Sequence, residues 1–499
     1  KIMEARLEGA AARLRPVLFE LVMEYLGENN KIVVVTWRLK ECEKLHDAIE
    51  RKLKEVKTWW AHGDSSAERR AEIQEEYMSH PGPCVLVGTM QSWGECVPED
   101  TLILGANKAI GSYDTGDLVF GAMGPGRVKG KKIKRHDGKL VEVRATGLLP
   151  IQATANHPIL VMEGRNVRTK GHSRHLELSE PKWKPAGELR VWRPDPTKPE
   201  SAAGDFLLVP RKPAQMFSIS SFDLRRYVPT AIGRGVRLAR GAPDAVPLNK
   251  DTAWLMGLYA AEGSSWADSG GWRAAFSLSE KEVAVVARVQ TILRGVGINS
   301  RVEHMTKYHA VNVRLYSTPM ALMLRELMGA GCHGKKIPTE ILYHKDLSIV
   351  EAFVAGYIEG DGNVKGHVVQ AATVSHVLAL QLQLAMARLG RLCCVSRHIP
   401  NSVGTIRGRP VKSGPIYQLR WRTHDKWHVR HRVFPDYIAV PVKLTHEVEF
   451  HGNVVDIETT DHTFLVSNAV VHNSINLQDT DVAICGMLPF TPGDVEQYE

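Results

Sequence analysis

Two distant points of this chain carry side chains that can exchange peptide bonds without an outside energy source. Cys96 follows Glu95 at one of them, and His472, Asn473 and Ser474 stand together at the other. A thiol at 96 can attack the preceding carbonyl and convert the Glu95–Cys96 amide into a thioester. A hydroxyl at 474 can take over that acyl group. The Asn473 carboxamide can cyclise onto its own carbonyl and break the bond to 474. The remaining ester then rearranges to an amide that joins Glu95 to Ser474. Such acyl chemistry needs bases and oxyanion donors close by. Each residue alone has a plainer reading: a lone Cys is most often a small buried hydrophobe, and His-Asn-Ser is a common turn. Their order, at both ends of one β-rich region, favours the reactive reading.

A second constellation lies between them. Residues 255–263 (LMGLYAAEG) recur 99 residues later as 354–362 (VAGYIEGDG). Both copies read as helices. Gly257 and Ala261, like Gly356 and Gly360, fall at i and i+4, so each helix has a flat face that lets two backbones pack closely. Gly263 and Gly362 are expected in the left-handed position past a helix end. Glu262 and Asp361 then sit at the C-terminal ends of adjacent helices. The helix dipole opposes a carboxylate there by ~0.3–1 kcal/mol, and the two acids repel each other. Stability alone would not choose this. A divalent cation would relieve it, with oxygen ligands suited to Mg²⁺, and a metal beside a phosphodiester activates water and stabilises the leaving oxygen. The plainer alternative is a pair of core helices with glycine packing.

The first set of residues belongs to longer motifs. Cys96-Val97-Pro98-Glu99-Asp100-Thr101, Thr154-Ala155-Asn156-His157, Val455-Asp456-Ile457 with His462-Thr463-Phe464, and Val470-Val471-His472-Asn473 resemble, in order, the motifs of the Cys-initiated intein family, over 96–473. The resemblance implies self-splicing with Cys96, Thr154, His157, Asp456, His462, His472, Asn473 and Ser474 as the catalytic set, with His157 straining and protonating the first scissile amide. An autoprocessing domain of the hedgehog type, which cleaves once, is the alternative; Asn473-Ser474 argues against it.

The repeat resembles the LAGLIDADG homing endonucleases over about 250–430, which implies double-stranded DNA as partner and Mg²⁺ as cofactor on Glu262 and Asp361. Lys335 in Lys335-Lys336-Ile337-Pro338 aligns with the family's catalytic lysine. Arg432 stands at the second-half counterpart, an Arg where a Lys is expected. Arg273, Arg301, Arg314, Arg397, Arg407, Arg409, Arg420 and Arg422 fall in strand-like stretches that could meet phosphates and base edges. A loss of nuclease activity with retention of splicing is the other alternative.

Joining 95 to 474 gives Gly94-Glu95-Ser474-Ile475-Asn476-Leu477, which resembles motif five of superfamily-two helicases, and His62-Gly63-Asp64 with Arg69-Arg70 fit the stretch before it. This implies an ATP-dependent helicase or translocase as host. Val495-Glu496-Gln497 stands where motif six would begin, without its arginines. No GxxxxGK[ST] phosphate loop is present, so ATP belongs only to the complete host.

The elements that must position these groups form a nested pattern. Residues 31–36 (KIVVVT), 84–88 (CVLVG) and 480–485 (TDVAIC) read as buried strands, with helices at 4–27, 39–56 and 65–77, which is an α/β unit. From 96 to about 245, and again over 436–472, short alternating segments separated by Gly, Pro and Asp predict an all-β domain. Between them lies a mixed α/β stretch. The expected architecture is an all-β hedgehog/intein-type domain (96–247 and 433–473) split by an α/β endonuclease (248–432), the whole splitting a RecA-like α/β lobe (1–95 and 474–499).

Composition agrees with three domains. The 499 residues are 43% hydrophobic and 24% charged, which excludes wholesale disorder. The net charge of +9 is uneven: −2 over 1–95, −5 over 474–499 and +16 between, so the centre suits a polyanion. Seven scattered cysteines without a CxxC argue against a disulfide framework or a structural zinc site. No apolar run approaches the ~18 residues of a membrane span, and KIMEARLEGA places charges where a signal peptide would be apolar. A cytoplasmic monomer without membrane contact is expected. The missing initiator Met makes a fragment of a longer chain the expectation.

Overall fold

The computed structural model describes residues 18–26, 30–36, 39–61, isolated positions between 69 and 79, 80–89, 96–168, 174–192, 204–228, 243–269, 271–400, 404–406, 409–411, 414–423, 431–473 and 482–486. Glu95, Ser474, His62–Asp64, Arg70, Arg407 and the segment after 486 lie outside the described residues.

Four parallel strands form the outer α/β sheet, in the order Lys57–Ala61, Cys84–Thr89, Lys31–Thr36, Val482–Gly486. The last strand comes from beyond position 473, yet it lies directly against the first, with Ile32 opposite Val482. Ile32, Val33, Val34, Val85, Leu86 and Val87 are all fully buried. This is why their runs are continuously apolar rather than alternating. The Lys57–Ala61 strand (KTWWA) has no counterpart in the sequence reading, because its two tryptophans sit between charged segments and give no apolar run.

The β domain is dominated by two long strands, Gly124–Ala145 and Tyr437–Thr459, paired antiparallel along almost their whole length. Residues 437–459 were expected as two short segments. They form one strand because its middle, around Thr445–His451, is solvated on a two-stranded ribbon, so polar residues interrupt the apolar pattern without ending the ladder. A hairpin of Thr463–Val466 and Ala469–His472 turns at Ser467 and Asn468, both at positive φ, 49° and 66°. Two left-handed positions in a two-residue loop fit the right-handed twist of the flanking strands.

The central unit repeats one pattern twice. The helix Lys250–Glu262 leads into a sheet ordered Gly263–Asp268, Gly271–Ser279, Ala310–Leu315, Ser300–Met305. The helix Leu347–Asp361 leads into a sheet ordered Gly362–Lys365, Val368–Thr373, Ile416–Arg422, Cys394–His398, the same order. Asn249 caps the first helix, accepting from the Asp251 and Thr252 amides while Thr252 Oγ1 accepts from Asn249 N. Asp346 caps the second, accepting from Ser348 N.

Both stretches at the expected boundaries make contacts of their own. Ser221–Asp223 and Ala245–Pro247 pair as a small sheet, and Phe222, Leu224 and Val246 enter the same core as Trp254 and Tyr343. The same core holds Leu104, Phe120 and Phe206 of the β domain, so this stretch packs where the two units meet. Arg432–Val433 instead pairs with Ile438–Ala439 of the long strand and belongs to the β domain.

Candidate functional site

Cys96 is held between two strands of the β domain. Val97 pairs with Val455 and Pro98 with Val454. One step further along that register, Cys96 comes level with Asp456. Cys96 is 1% exposed and packs with Leu140 and Val454. Its backbone is pinned on the other side. Cys96 N donates to Thr154 Oγ1 at 3.0 Å, and Thr154 N donates to Cys96 O at 2.9 Å. The Thr154 hydroxyl thus grips the amide nitrogen that would leave in an acyl shift.

Thr154 opens a turn in which His157 N donates to Thr154 O at 3.0 Å. His157 is fully buried, its ring edge-on to Phe464 at 6.1 Å between centroids. The strand that follows pairs Ile159 with Val471. Two steps back along this antiparallel register, His157 comes level with Asn473. From the opposite side, Asn473 N donates to His462 O at 3.1 Å. Contacts thus run from Cys96 to Thr154 and from Thr154 to His157, and the register sets His157 level with Asn473, whose amide is bound to His462.

His472 precedes Asn473. Its ring stacks near His462 at 6.4 Å and takes the edge of Trp183 at 4.9 Å. Burial pushes its imidazole down to about 4, so it is neutral at neutral pH. Its Nδ1 lies within hydrogen-bond reach of the Asn473 carbonyl oxygen. A carbonyl can only accept, so the neutral ring carries its proton on Nδ1 for this bond to form. The Asn473 side chain is 1% exposed, and neither its oxygen nor its nitrogen has a hydrogen-bond partner among the described residues. Burying an unpaired amide costs ~1–3 kcal/mol. His462 adds backbone strain, with φ of 57° at a residue with a bulky side chain. Trp183 gave no sequence signal, since nothing local connects it to His472.

The second site lies where the two repeat helices meet. A Cβ on Gly257 would strike the Phe353 carbonyl oxygen, and one on Gly356 the Trp254 carbonyl oxygen. The helices touch backbone to backbone, and Gly360 lies against Ala261 and Glu262. Gly263 and Gly362 differ from expectation: their φ values are −86° and −97°, so they are extended and not left-handed. A strand leaves each helix at once, and a Cβ there would collide with Tyr259 or with Ile358.

Glu262 and Asp361 come together at the ends of these helices. Burial, and then the charge of Asp361, push the Glu262 carboxyl up to about 7. Burial likewise raises Asp361, although its side chain also reaches solvent. Lys335 is 6% exposed and donates from Nζ to Tyr259 O at 2.6 Å and Gly263 O at 2.7 Å, over the Tyr259 ring. It caps the last carbonyls of the first helix, where the dipole is negative. Burial lowers its ammonium to about 8. Ser375 Oγ donates to Lys335 O at 2.7 Å and holds the loop. Two acids raised toward neutrality beside a depressed lysine mark a site with unrelieved charge.

Arg432 does not stand as Lys335 does. It is exposed on the short strand of the β domain and donates to His431 O. Of the candidate DNA-facing arginines, Arg301, Arg397, Arg420 and Arg422 are exposed on strands. Arg273 lies 3.4 Å from Asp268, and Arg314 pairs with Glu303 at 2.9 Å and covers Trp266. Arg409 lies on the short strand Arg409–Val411. No helix among the described residues is long and apolar enough to cross a membrane.

No family model matches the chain. It is 27% identical over 420 residues to the ATP-dependent DNA helicase Hel308 of Thermococcus kodakarensis, covering 77% of this chain and 36% of that protein. It is 29% identical over 402 residues to the iron-sulfur cluster assembly SufBD family protein Mb1496 of Mycobacterium bovis, covering 76% and 42%. It is 21% identical over 262 residues to the DNA-directed RNA polymerase subunit Rpo1C of Methanocaldococcus jannaschii, covering 51% and 27%. The chain thus spans well under half the length of these curated relatives. Similar solved structures include the homing endonuclease I-DmoI in complex with DNA and Mn, at 12% identity and TM-score 0.27, covering 35% of this chain and 90% of that one. The homing endonuclease I-WcaI bound to its DNA recognition sequence is similar at 12% identity and TM-score 0.22, covering 34% and 76%.

Proposed function

We propose that residues 96–473 form a self-splicing segment that carries a DNA endonuclease and interrupts a helicase-related host. The observation that supports this most is that Cys96 is tied through Thr154 to the turn holding His157, while the register of Ile159 with Val471 sets buried Asn473 level with His157. On this reading, two positions far apart in the chain meet at one buried place where both junction bonds react.

In the first step the Cys96 thiol attacks the Glu95 carbonyl, and the Cys96 nitrogen leaves as an amine. Thr154 Oγ1 holds that nitrogen, and His157 behind it supplies a proton to the departing amine. The Ser474 hydroxyl then displaces the thiol and takes the acyl group. The Asn473 side-chain nitrogen attacks its own carbonyl and expels the Ser474 amine as a succinimide closes. The His472 Nδ1–H polarises that carbonyl. The freed amine of 474 attacks the ester and leaves Glu95 joined to Ser474. Asp456, level with Cys96, and His462, bound to Asn473 through its backbone, complete the site.

In the central unit, Glu262 and Asp361 would hold a divalent cation. The donor set fits: two carboxyl oxygen donors, both raised by burial, beside helix-end carbonyls. Such an ion, when bound, supplies Lewis-acid activation of water at a phosphodiester. Lys335 keeps the first helix end in place and sets an ammonium, held near 8 by burial, beside the acids. The exposed arginines of the two sheets would meet the DNA backbone.

Three relatives with unrelated names match this chain, two of them over about three quarters of it. Residues 96–473 make up 76% of the chain, so a mobile segment shared by different hosts accounts for the pattern. The flanking parallel sheet supports a RecA-like host, with double-stranded DNA as the partner of the nuclease and ATP needed only by the whole host.

A denaturing gel of the expressed chain tests the proposal. It should show a ligated flank product and a free basic segment of 378 residues. A Cys96→Ala, Asn473→Ala double variant should stay whole, and persistence of both products in it refutes splicing. Nicking of the uninterrupted host sequence with Mg²⁺, lost in Glu262→Gln, tests the nuclease.

A further inference from the structure

The hairpin Thr463–Val466/Ala469–His472 delivers His472 and Asn473, yet few backbone bonds fix it within the β domain. It meets Pro158–Arg168 through one register pair, Ile159 with Val471, and Leu102–Ile103 through one, Val466 with Ile103. Its turn is tied to the β domain through Ser467, whose Oγ donates to Pro150 O at 3.3 Å, and to the central unit through Asn468. Asn468, at φ 66° and 1% exposed, donates from Nδ2 to Leu380 O at 2.8 Å and to Gln383 Oε1 at 2.9 Å. Both partners lie on the helix His376–Arg388 of the central unit. Gln383 is itself 1% exposed, and its Nε2 donates to Gly147 O at 2.7 Å and to Cys393 O at 2.6 Å. Gly147 follows the long strand Gly124–Ala145 of the β domain and also accepts from Val395 N at 2.9 Å. One buried glutamine therefore joins the nuclease-like helix, the β scaffold and the hairpin turn. Leu465 and Val470, on the same hairpin, enter the core shared with that helix's Leu380 and Leu384.

We infer that Gln383 and Asn468 are positioning residues through which the central unit sets the alignment of His472 and Asn473. This rests on the splicing reading above and deepens it. A short hairpin is a stiff lever, so displacement at its turn is carried to its far end. There a shift of about 1 Å in an attack geometry costs about 10²-fold in rate. The first acyl shift at Cys96 depends less on the hairpin turn, because Thr154 holds Cys96 from another loop and His157 meets the hairpin at Phe464, away from the turn.

The experiment uses the full chain with Gln383→Leu, Asn468→Ala and the double variant. Cleavage at Glu95–Cys96, induced by dithiothreitol, and cleavage at Asn473 are timed separately on denaturing gels. Mg²⁺-dependent DNA nicking is measured on the same samples. The expected result is Asn473 cleavage slowed by at least about tenfold with thiol-induced cleavage and nicking kept within about twofold. The double variant should be slowed by less than the product of the two single effects, because the residues share one bond and one helix. Asn468→Gly keeps the turn conformation but lacks the amide, so it should be as slow as Asn468→Ala; recovery in Asn468→Gly overturns the inference. Equal slowing of both cleavages, or additive effects, also overturns it. If the unaltered chain cleaves at neither junction, the splicing reading itself fails; if it splices and Gln383→Leu splices at the same rate, only this inference fails.

Discussion

Glu262→Gln separates strain from chemistry at the acid pair. The Glu262 carboxyl is raised from 4.5 to about 7, first by burial and then by Asp361. The folded chain therefore holds this proton longer than the unfolded one. Its contribution to stability is full below pH 4.5 and is lost as pH rises through about 7. Such a shift corresponds to about 3 kcal/mol, and partial exposure reduces it to about 1–2 kcal/mol. Glutamine has no charge to bury. Thermal unfolding of the unspliced Cys96→Ala, Asn473→Ala background should show Glu262→Gln stabilised by that amount near pH 8 without metal, and unchanged at about pH 4. Adding Mg²⁺ should raise the melting temperature of the Glu262 chain and leave the Gln variant unmoved. A variant less stable than its parent at pH 8 without metal, or a difference independent of pH, would refute the account of the pair as a charged site awaiting a cation.

Three further outcomes follow from the same geometry. Gly257→Ala should cost at least about 1–3 kcal/mol and abolish nicking, because its Cβ meets the Phe353 backbone; melting and nicking assays check both. Lys335→Met should lose nicking and also destabilise by about 1–3 kcal/mol, since Tyr259 O and Gly263 O lose their donor. For His472, the folded pKa is depressed from 6.5 to about 4, so its contribution is present above pH 6.5 and is lost as pH falls toward about 4. Acid denaturation of His472→Gln should lack this loss, about 3 kcal/mol, and its Asn473 cleavage should be slowed.

The local chain determined much of this. The apolar runs at 31–36 and 84–89 become parallel strands because valine and isoleucine suit a sheet buried on both faces. The small residues at 257, 261, 356 and 360 announced two helices that touch, because only glycine, with alanine's single methyl at 261, leaves room for the contact. The identities of Cys96, Asn473, Glu262 and Asp361 stood out because their chemistry is rare at such places. Pairing across long separations decided the rest. Whether 437–459 is one strand or two depends on the ladder with 124–145, not on its own alternation. The glycines at 263 and 362 read as left-handed caps, but collision with Tyr259 and Ile358, which only the packed chain creates, explains them better. Arg432 matched a lysine position by spacing, and strand pairing with Ala439 takes it into the other domain. Gln383 and Asn468 carried no signal at all. A buried amide acquires its role from the partners that folding brings within hydrogen-bond reach, and those partners are set by tertiary contacts that local sequence does not encode.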